Sequence, residues 1–175
     1  MSNLIIGIAG TAGSGKDTMA DYFGCPKVSF ATPLKEMLNG LFGWNNALWS
    51  NRKWKETPQE ALYGKSPRQL AQTLGTEWGR NCISHTFWTD AGIRLARSAG
   101  KVVVMPDVRF EEEAKAVDVL IIVERAGVSP VSEHASENVL PLYKYAHHIV
   151  KNNGSIEQFW EESQNLYRRI VDGRA

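Results

Sequence analysis

An apolar run, Leu4-Ile5-Ile6-Gly7-Ile8, leads straight into Ala9-Gly10-Thr11-Ala12-Gly13-Ser14-Gly15-Lys16-Asp17-Thr18, and a helical pattern follows. Strand, glycine-rich loop and helix in that order leave few folds open. Gly10 and Gly15-Lys16 stand at the spacing G-x-x-x-x-G-K of a phosphate-binding loop. Glycines let the backbone curl until successive N–H groups face one anion. The helix that follows adds its positive end, and Lys16 supplies a point charge for the outer phosphates of a nucleoside triphosphate. After the lysine comes Asp17 instead of the usual Ser or Thr, with Thr18 one place later. A carboxylate also suits Mg²⁺, which takes oxygen ligands and keeps several waters. Read without its context, the stretch would also serve as a plain glycine-rich turn, with Asp17 favoured by the helix dipole.

The rest of the chain narrows the class. With 175 residues the chain suits a single domain spanning 1–175. Net charge is +1, so no basic excess points to a nucleic-acid partner. Cys25 and Cys82 form no CxxC pair, which argues against a zinc site or disulfide framework. Both are expected to be small buried residues in a reducing cytoplasm. The apolar N-terminal run is too short to span a membrane and lacks the basic start and cleavage site of a secretory signal. The expectation is a cytoplasmic protein without a membrane partner.

Along the chain, β-like runs alternate with helical patterns, which predicts a mostly parallel sheet wrapped by helices. Five runs qualify as strands: 4–9, Lys27–Phe30, Lys101–Met105, Val119–Glu124 and His148–Val150. Helices are predicted over Asp17–Phe23, Pro33–Leu41, Pro67–Trp78, Ser84–Ala99 and Glu111–Val117, with a closing amphipathic one from Ile156 to Ile170. Residues 43–65 are irregular and hold Trp44, Trp49 and Trp54; residues 125–146 read as a long loop. Core packing is the expectation for most of the six tryptophans.

In parallel α/β sheets, ligands bind beyond the carboxyl ends of the strands. The candidate groups fall there: the phosphate loop, Asp107 and Arg109 after Val102–Met105, and Arg125 after Val119–Glu124. Asp107 suits the orientation of Mg²⁺, and the arginines suit charge on a phosphoryl group in flight. Taken singly, Asp107 also suits a helix cap and Arg125 an ordinary surface position. Arg68, Gln72 and Glu77 can share one helix side near Arg80, where arginines suit bidentate phosphate contacts and Gln or Glu a base edge. A solvated helix face reads the same way. The four histidines make no metal set.

As an ordered series, these segments resemble the phage-type deoxynucleoside monophosphate kinases, a branch of the P-loop kinase fold. The series runs through Ser14-Gly15-Lys16-Asp17-Thr18, Phe30-Ala31-Thr32-Pro33-Leu34-Lys35, Leu70-Ala71-Gln72-Thr73-Leu74-Gly75-Thr76-Glu77 and Pro106-Asp107-Val108-Arg109-Phe110-Glu111-Glu112-Glu113. It continues with His134, Glu137 and Val150-Lys151-Asn152-Asn153-Gly154-Ser155-Ile156-Glu157. The resemblance implies a three-layer α/β sandwich with a five-stranded sheet, helices on both faces and a lid loop at 125–146. It implies transfer of the ATP γ-phosphoryl group to a deoxynucleoside monophosphate with Mg²⁺. By position, Gly13, Ser14, Gly15, Lys16, Asp17 and Thr18 would hold the ATP phosphates, with Arg125 in the lid and Asn152 to Ser155, including Gly154, approaching adenine. Leu34, Lys35, Arg68, Gly75 and Thr76 would line the monophosphate site beside segment 43–65, with Gln72 added from the helix reading. Asp107, Arg109 and Glu113 would lie between the substrates.

The expected chemistry is in-line transfer without a covalent intermediate, with Lys16, Arg80, Arg109 and Arg125 carrying charge and Asp17 and Asp107 serving the metal. Enzymes of this kind are often homodimers, and a phage source would place this one in the host cytoplasm. Two departures stand out: the insert before Arg68 is compact, and Ala12-Gly13 occupy positions where relatives can carry basic residues. Two other readings share the loop and sheet. One is a P-loop kinase for another small acceptor, such as dephospho-coenzyme A or phosphomevalonate; the other is a nucleotide-binding module without catalysis.

Overall fold

The computed structural model describes residues 3–128 and 139–173; His134 and Glu137, and with them half of the expected lid, lie outside the described residues. The chain forms two compact units, one from Met1–Ser29 with Ile93–Ala175 and the other from Phe30–Gly92.

The first unit is built on four parallel strands, β1 (Leu4–Ala9), β2 (Val102–Met105), β3 (Val119–Glu124) and β4 (His148–Lys151), in the order β2-β1-β3-β4. Leu4 pairs with Val102, Ile6 with Val119 and Ile122 with Ile149. β1 and β3 are buried almost throughout, as parallel strands covered on both faces must be, and this is why they read as unbroken apolar runs. Alternate residues face opposite ways. Ile6, Ile8, Val104, Ile121 and Val123 pack with Met19 and Phe23 of α1 (Lys16–Phe23) and with Phe159, Leu166 and Ile170 of α7 (Ile156–Val171). On the other face Gly7 leaves room for Val108 and Val117, since a Cβ there would meet them at 2.8 and 2.9 Å. Val108 and Val117 flank α6 (Glu111–Ala116).

Among the described residues the sheet has four strands where the sequence predicts five. Lys27–Phe30 supplies a single bridge, Lys27 opposite Val104. Val28 N donates to Val104 O at 3.0 Å and Val104 N to Pro26 O at 3.0 Å. Pro26 has no N–H to extend the ladder, and by Thr32 the chain has entered a helix. The closing end of that run does other work: Ser29 Oγ donates to the Asp107 carboxylate.

The second unit holds α2 (Thr32–Phe42), α3 (Arg52–Glu56) and α4 (Pro67–Gln72), and α5 (Phe87–Ala99) begins in it. Residues 43–65, expected to be irregular, contain α3 and two 3₁₀ turns, Asn46–Ser50 and Glu60–Leu62. Asn45 caps the first turn and Asn51 caps α3 through their side-chain oxygens, which accept from Leu48 N at 3.3 Å and Trp54 N at 3.0 Å. Leu34, Leu38, Trp49 and Trp88 are buried together, with Phe42, Trp44, Trp54 and Phe87 packed against them. Ring centroids lie 4.6 Å apart for Phe42–Trp44, 4.9 Å for Trp44–Trp54 and 5.6 Å for Trp49–Trp54. Trp78 and Trp160 are exposed.

α4 begins in a reciprocal cap between Ser66 and Gln69, with Pro67 in the first turn. The predicted helix to Trp78 does not stay α-helical. Thr73–Ile83 is wound as a π-helix, with Ser84 N donating back five residues to Gly79 O at 3.0 Å. Trp88 explains the wider winding. Its Nε1 donates to Gly75 O at 3.0 Å, and a Cβ on Gly79 would sit 2.0 Å from that nitrogen. The expectation of two buried cysteines also fails, because Cys25 is half-buried and Cys82 exposed.

Candidate active site

The loop after β1 has the geometry its glycines predict. Gly10, Gly13 and Gly15 adopt φ of 150°, 83° and 109°, a region that side chains disfavour. Space is short as well: a Cβ on Gly15 would meet Asn152 Nδ2 at 2.5 Å, and one on Gly10 would meet Val123 O at 2.5 Å. Ser14 N donates to Thr11 O at 3.1 Å, closing the turn, and Lys16 Nζ donates to Thr11 O at 3.0 Å. Ser14 is wholly buried, and its Oγ has no hydrogen-bond partner among the described residues. A curled loop, an orphaned hydroxyl and a lysine at the head of α1 make a set of donors suited to phosphate.

Asn152 ties this loop to the far edge of the sheet. Its N–H donates to Glu124 O at 2.7 Å, and its side-chain Nδ2 donates to Ser14 O at 2.8 Å. Asn153 Oδ1 accepts from Ala126 N at 2.7 Å, which holds the segment after β3 against the start of α7. Between these parts lies a hollow of about 290 Å³ bordered by Lys16, Asp17, Thr18, Arg125, Asn152 and Gly154. A second, of about 410 Å³, is bordered by Gly10, Thr11, Arg125, Tyr143 and Asn153. Arg125, exposed, borders both. Tyr143 donates to Glu124 Oε1 at 2.7 Å; burial first, and then the Glu124 carboxylate, push its pKa up to about 12.

At the end of β2, Asp107 is half-buried and accepts from Ser29, while Arg109 is exposed. Glu113, only 2% exposed, turns inward: its Oε2 accepts from Arg109 N at 2.8 Å and Phe110 N at 3.2 Å. Its carboxylate therefore fixes the turn carrying Asp107 and Arg109, and the signal was a Glu at the third position of a helix. Two anchoring contacts had no signal in the sequence. They are Asn152 on Ser14, and Asp118, whose carboxylate accepts from Ile5 N at 2.7 Å and pairs with Arg97 at 3.2 Å.

The remaining expected residues belong to the second unit. Leu34 is in its core, and Leu34 Cδ1 would lie 3.0 Å from a Cβ on Gly75. Lys35 Nζ stands 5.9 Å from the Trp49 ring centroid. Arg68 Nη2 pairs with Glu56 Oε1 at 3.5 Å. Gln72 ends α4, Thr76 lies in the π-wound stretch, and both are half-buried. Arg80 is buried, with Nη1 donating to His85 O at 3.1 Å.

Among the described residues no group of three His, Cys, Asp or Glu side chains is placed to hold a metal by itself. A Mg²⁺ carried on phosphates needs only one or two carboxylates. The donor set of the loop, with Asp17 at the head of α1 and Asp107 beyond β2, is chemically suited to that group.

A glycine-lysine loop at the carboxyl end of the first strand of a parallel sheet defines a P-loop fold. Solved structures share it at low identity: a dephospho-CoA kinase from Campylobacter jejuni superposes with a TM-score of 0.56 and 15% identity over 98% of each chain. TT1252 from Thermus thermophilus gives 0.54 and 18% over 100% of each. A family model described as deoxynucleotide monophosphate kinase matches residues 52–162. A protein of Acanthamoeba polyphaga mimivirus bearing the name deoxynucleotide monophosphate kinase is 31% identical, covering 91% of this chain and 93% of that one. The deoxynucleoside-5′-monophosphate kinase of Escherichia phage T5 is 23% identical over 94% and 96%. The chain belongs to the deoxynucleotide monophosphate kinase family.

Proposed function

We propose that this protein transfers the γ-phosphoryl group of ATP to a deoxynucleoside 5′-monophosphate, giving ADP and the deoxynucleoside diphosphate. The observation that carries the reading is the curled loop of Gly10–Gly15, with Lys16 at its end and Arg125, Asn152 and Gly154 around the adjoining hollow. Gly13, Ser14, Gly15, Lys16, Asp17 and Thr18 take the ATP phosphates, and Asn152 and Gly154 border the nucleoside. Leu34, Lys35, Arg68, Gln72, Gly75 and Thr76 serve the acceptor. Residues 1–175 serve as a single kinase domain in this reading.

Phosphate oxygens are already nucleophilic, so the reaction is in-line and needs no general base; positioning and electrostatics do the rest. Lys16, Arg109 and Arg125 offset charge on the group in transfer, and Arg80 adds a positive charge fixed by His85. Glu113 holds the backbone from which Asp107 and Arg109 project. Mg²⁺, held by Asp17 and Asp107, would neutralise phosphate charge when bound. The segment after Arg125 excludes water, without which ATP would be hydrolysed. Arrangement as a homodimer and residence in a host cytoplasm belong to the same reading.

ADP release from ATP–Mg²⁺ tests it, with each of four deoxynucleoside monophosphates, their ribo-counterparts and a no-acceptor control. Strong stimulation by at least one deoxynucleotide is the expected result. Flat traces with every nucleotide would sink the reading and favour another phosphorylated acceptor or a binding role.

A further inference from the structure

Segment 43–65 carries a lysine in an unusual setting. Lys55 is half-buried on α3. The residue before it, Trp54, packs edge-on against Trp44 and Trp49. The residue after it, Glu56, pairs with Arg68 of α4. α3 and α2 both pack on α4, and Lys35 of α2 stands over the Trp49 ring. Three cations from three helices thus collect around one aromatic cluster. The charges acting on Lys55 are those of Arg68, Lys35 and Arg52, against a single acid, Glu56.

Such a cluster is poorly neutralised within the unit. Partial burial, then the Arg68 and Lys35 charges, push the Lys55 pKa below the usual lysine range. Glu56 is divided, since it also faces Arg52 at 3.4 Å. Arg68 Nε is buried with no hydrogen-bond partner among the described residues. An orphaned guanidinium donor beside two lysines is a site that lacks an anion. A phosphate monoester carries close to two negative charges at neutral pH and three acceptor oxygens, which fits this excess.

The geometry points to Lys55 as a third phosphate-binding residue of the acceptor site, acting with Lys35 and Arg68 on the 5′-phosphate of the monophosphate substrate. The inference rests on the kinase reading of the preceding subsection. The tryptophans position the lysines, and Glu56 holds Arg68 until phosphate displaces it. Among Lys and Arg neighbours of the acceptor, Lys55 was invisible to the sequence because only folding brings it beside Arg68.

The test uses the full chain and Lys55→Met and Lys55→Arg, with the monophosphate that wild type accepts best. Lys55→Met is expected to raise KM for the monophosphate about tenfold or more, with KM for ATP within about twofold and Lys55→Arg recovering most of the loss. An unchanged monophosphate KM in Lys55→Met, or equal rises for both substrates, would overturn the role. Calorimetric titration of the monophosphate into ATP-free protein separates this claim from the one beneath it. Wild type that binds the monophosphate without turning it over contradicts the kinase reading, while weaker binding by Lys55→Met still supports the cation site. Equal binding by wild type and Lys55→Met overturns the site whatever the turnover.

Discussion

On the proposed function, the two units would meet anions by different means. In the unit of Met1–Ser29 and Ile93–Ala175, main-chain geometry does most of the work: glycines at positive φ curl the loop, and one lysine and one helix start complete it. In Phe30–Gly92 the proposed work falls to side chains, with Lys35, Lys55 and Arg68 carried on separate elements around a tryptophan cluster. A backbone cradle is rigid and tolerates no added Cβ. A side-chain cluster depends on the packing of everything beneath it, and it can be retuned one residue at a time.

The contrast can be broken most severely at Lys16. Lys16→Ala should lower kcat by roughly 10²–10³-fold, the scale of losing one fixed charge-stabilising donor, while the melting temperature stays near wild type. Wild-type turnover in that variant would remove the loop from the chemistry. In the second unit the matching lesion is structural. Gly79→Ala drives a Cβ into Trp88, so urea denaturation should show a loss of about 1–3 kcal/mol, the usual cost of overpacking. No change would mean that Trp88 and the π-wound stretch adapt freely.

Asn152→Ala probes the support of the cradle. It frees Ser14 O from its side-chain donor and should weaken ATP binding by roughly tenfold, with monophosphate binding nearly untouched. Equal weakening of both ligands would argue against a local effect. The smallest effect is expected at Tyr143. Its pKa is raised in the folded chain from 10.0 to about 12, so the stability it contributes is complete below pH 10 and is lost as pH rises through about 12. Tyr143→Phe should flatten that limb of a stability–pH curve; an unaltered curve would assign the alkaline loss to other groups.

What could be read in advance follows the same division. β1 and β3 were legible because strands buried on both faces must be apolar throughout, and the phosphate loop because its glycines serve backbone angles at fixed spacing. Lys27–Phe30 misled because four residues of strand-like composition do not reveal that Pro26 and the onset of α2 limit pairing to one bridge. The π winding of Thr73–Ile83 depends on Trp88, whose contact with Gly75 and Gly79 is tertiary. Segment 43–65 looked irregular because tryptophans that pack on one another's edges need no helical or strand period. Asn152 was placed near the nucleoside, but nothing in sequence spacing signalled its bond to Ser14 across 138 positions.

The central claim is a division of labour, with triphosphate held by the loop of one unit and monophosphate by the cations of the other. Calorimetric titration of a non-hydrolysable ATP analogue with Mg²⁺, and separately of the best deoxynucleoside monophosphate, into Lys16→Ala and Arg68→Gln tests it directly. The account predicts a crossed pattern: Lys16→Ala loses the triphosphate and keeps the monophosphate, and Arg68→Gln does the reverse. Both ligands lost together in either variant, or neither lost in either, would contradict it.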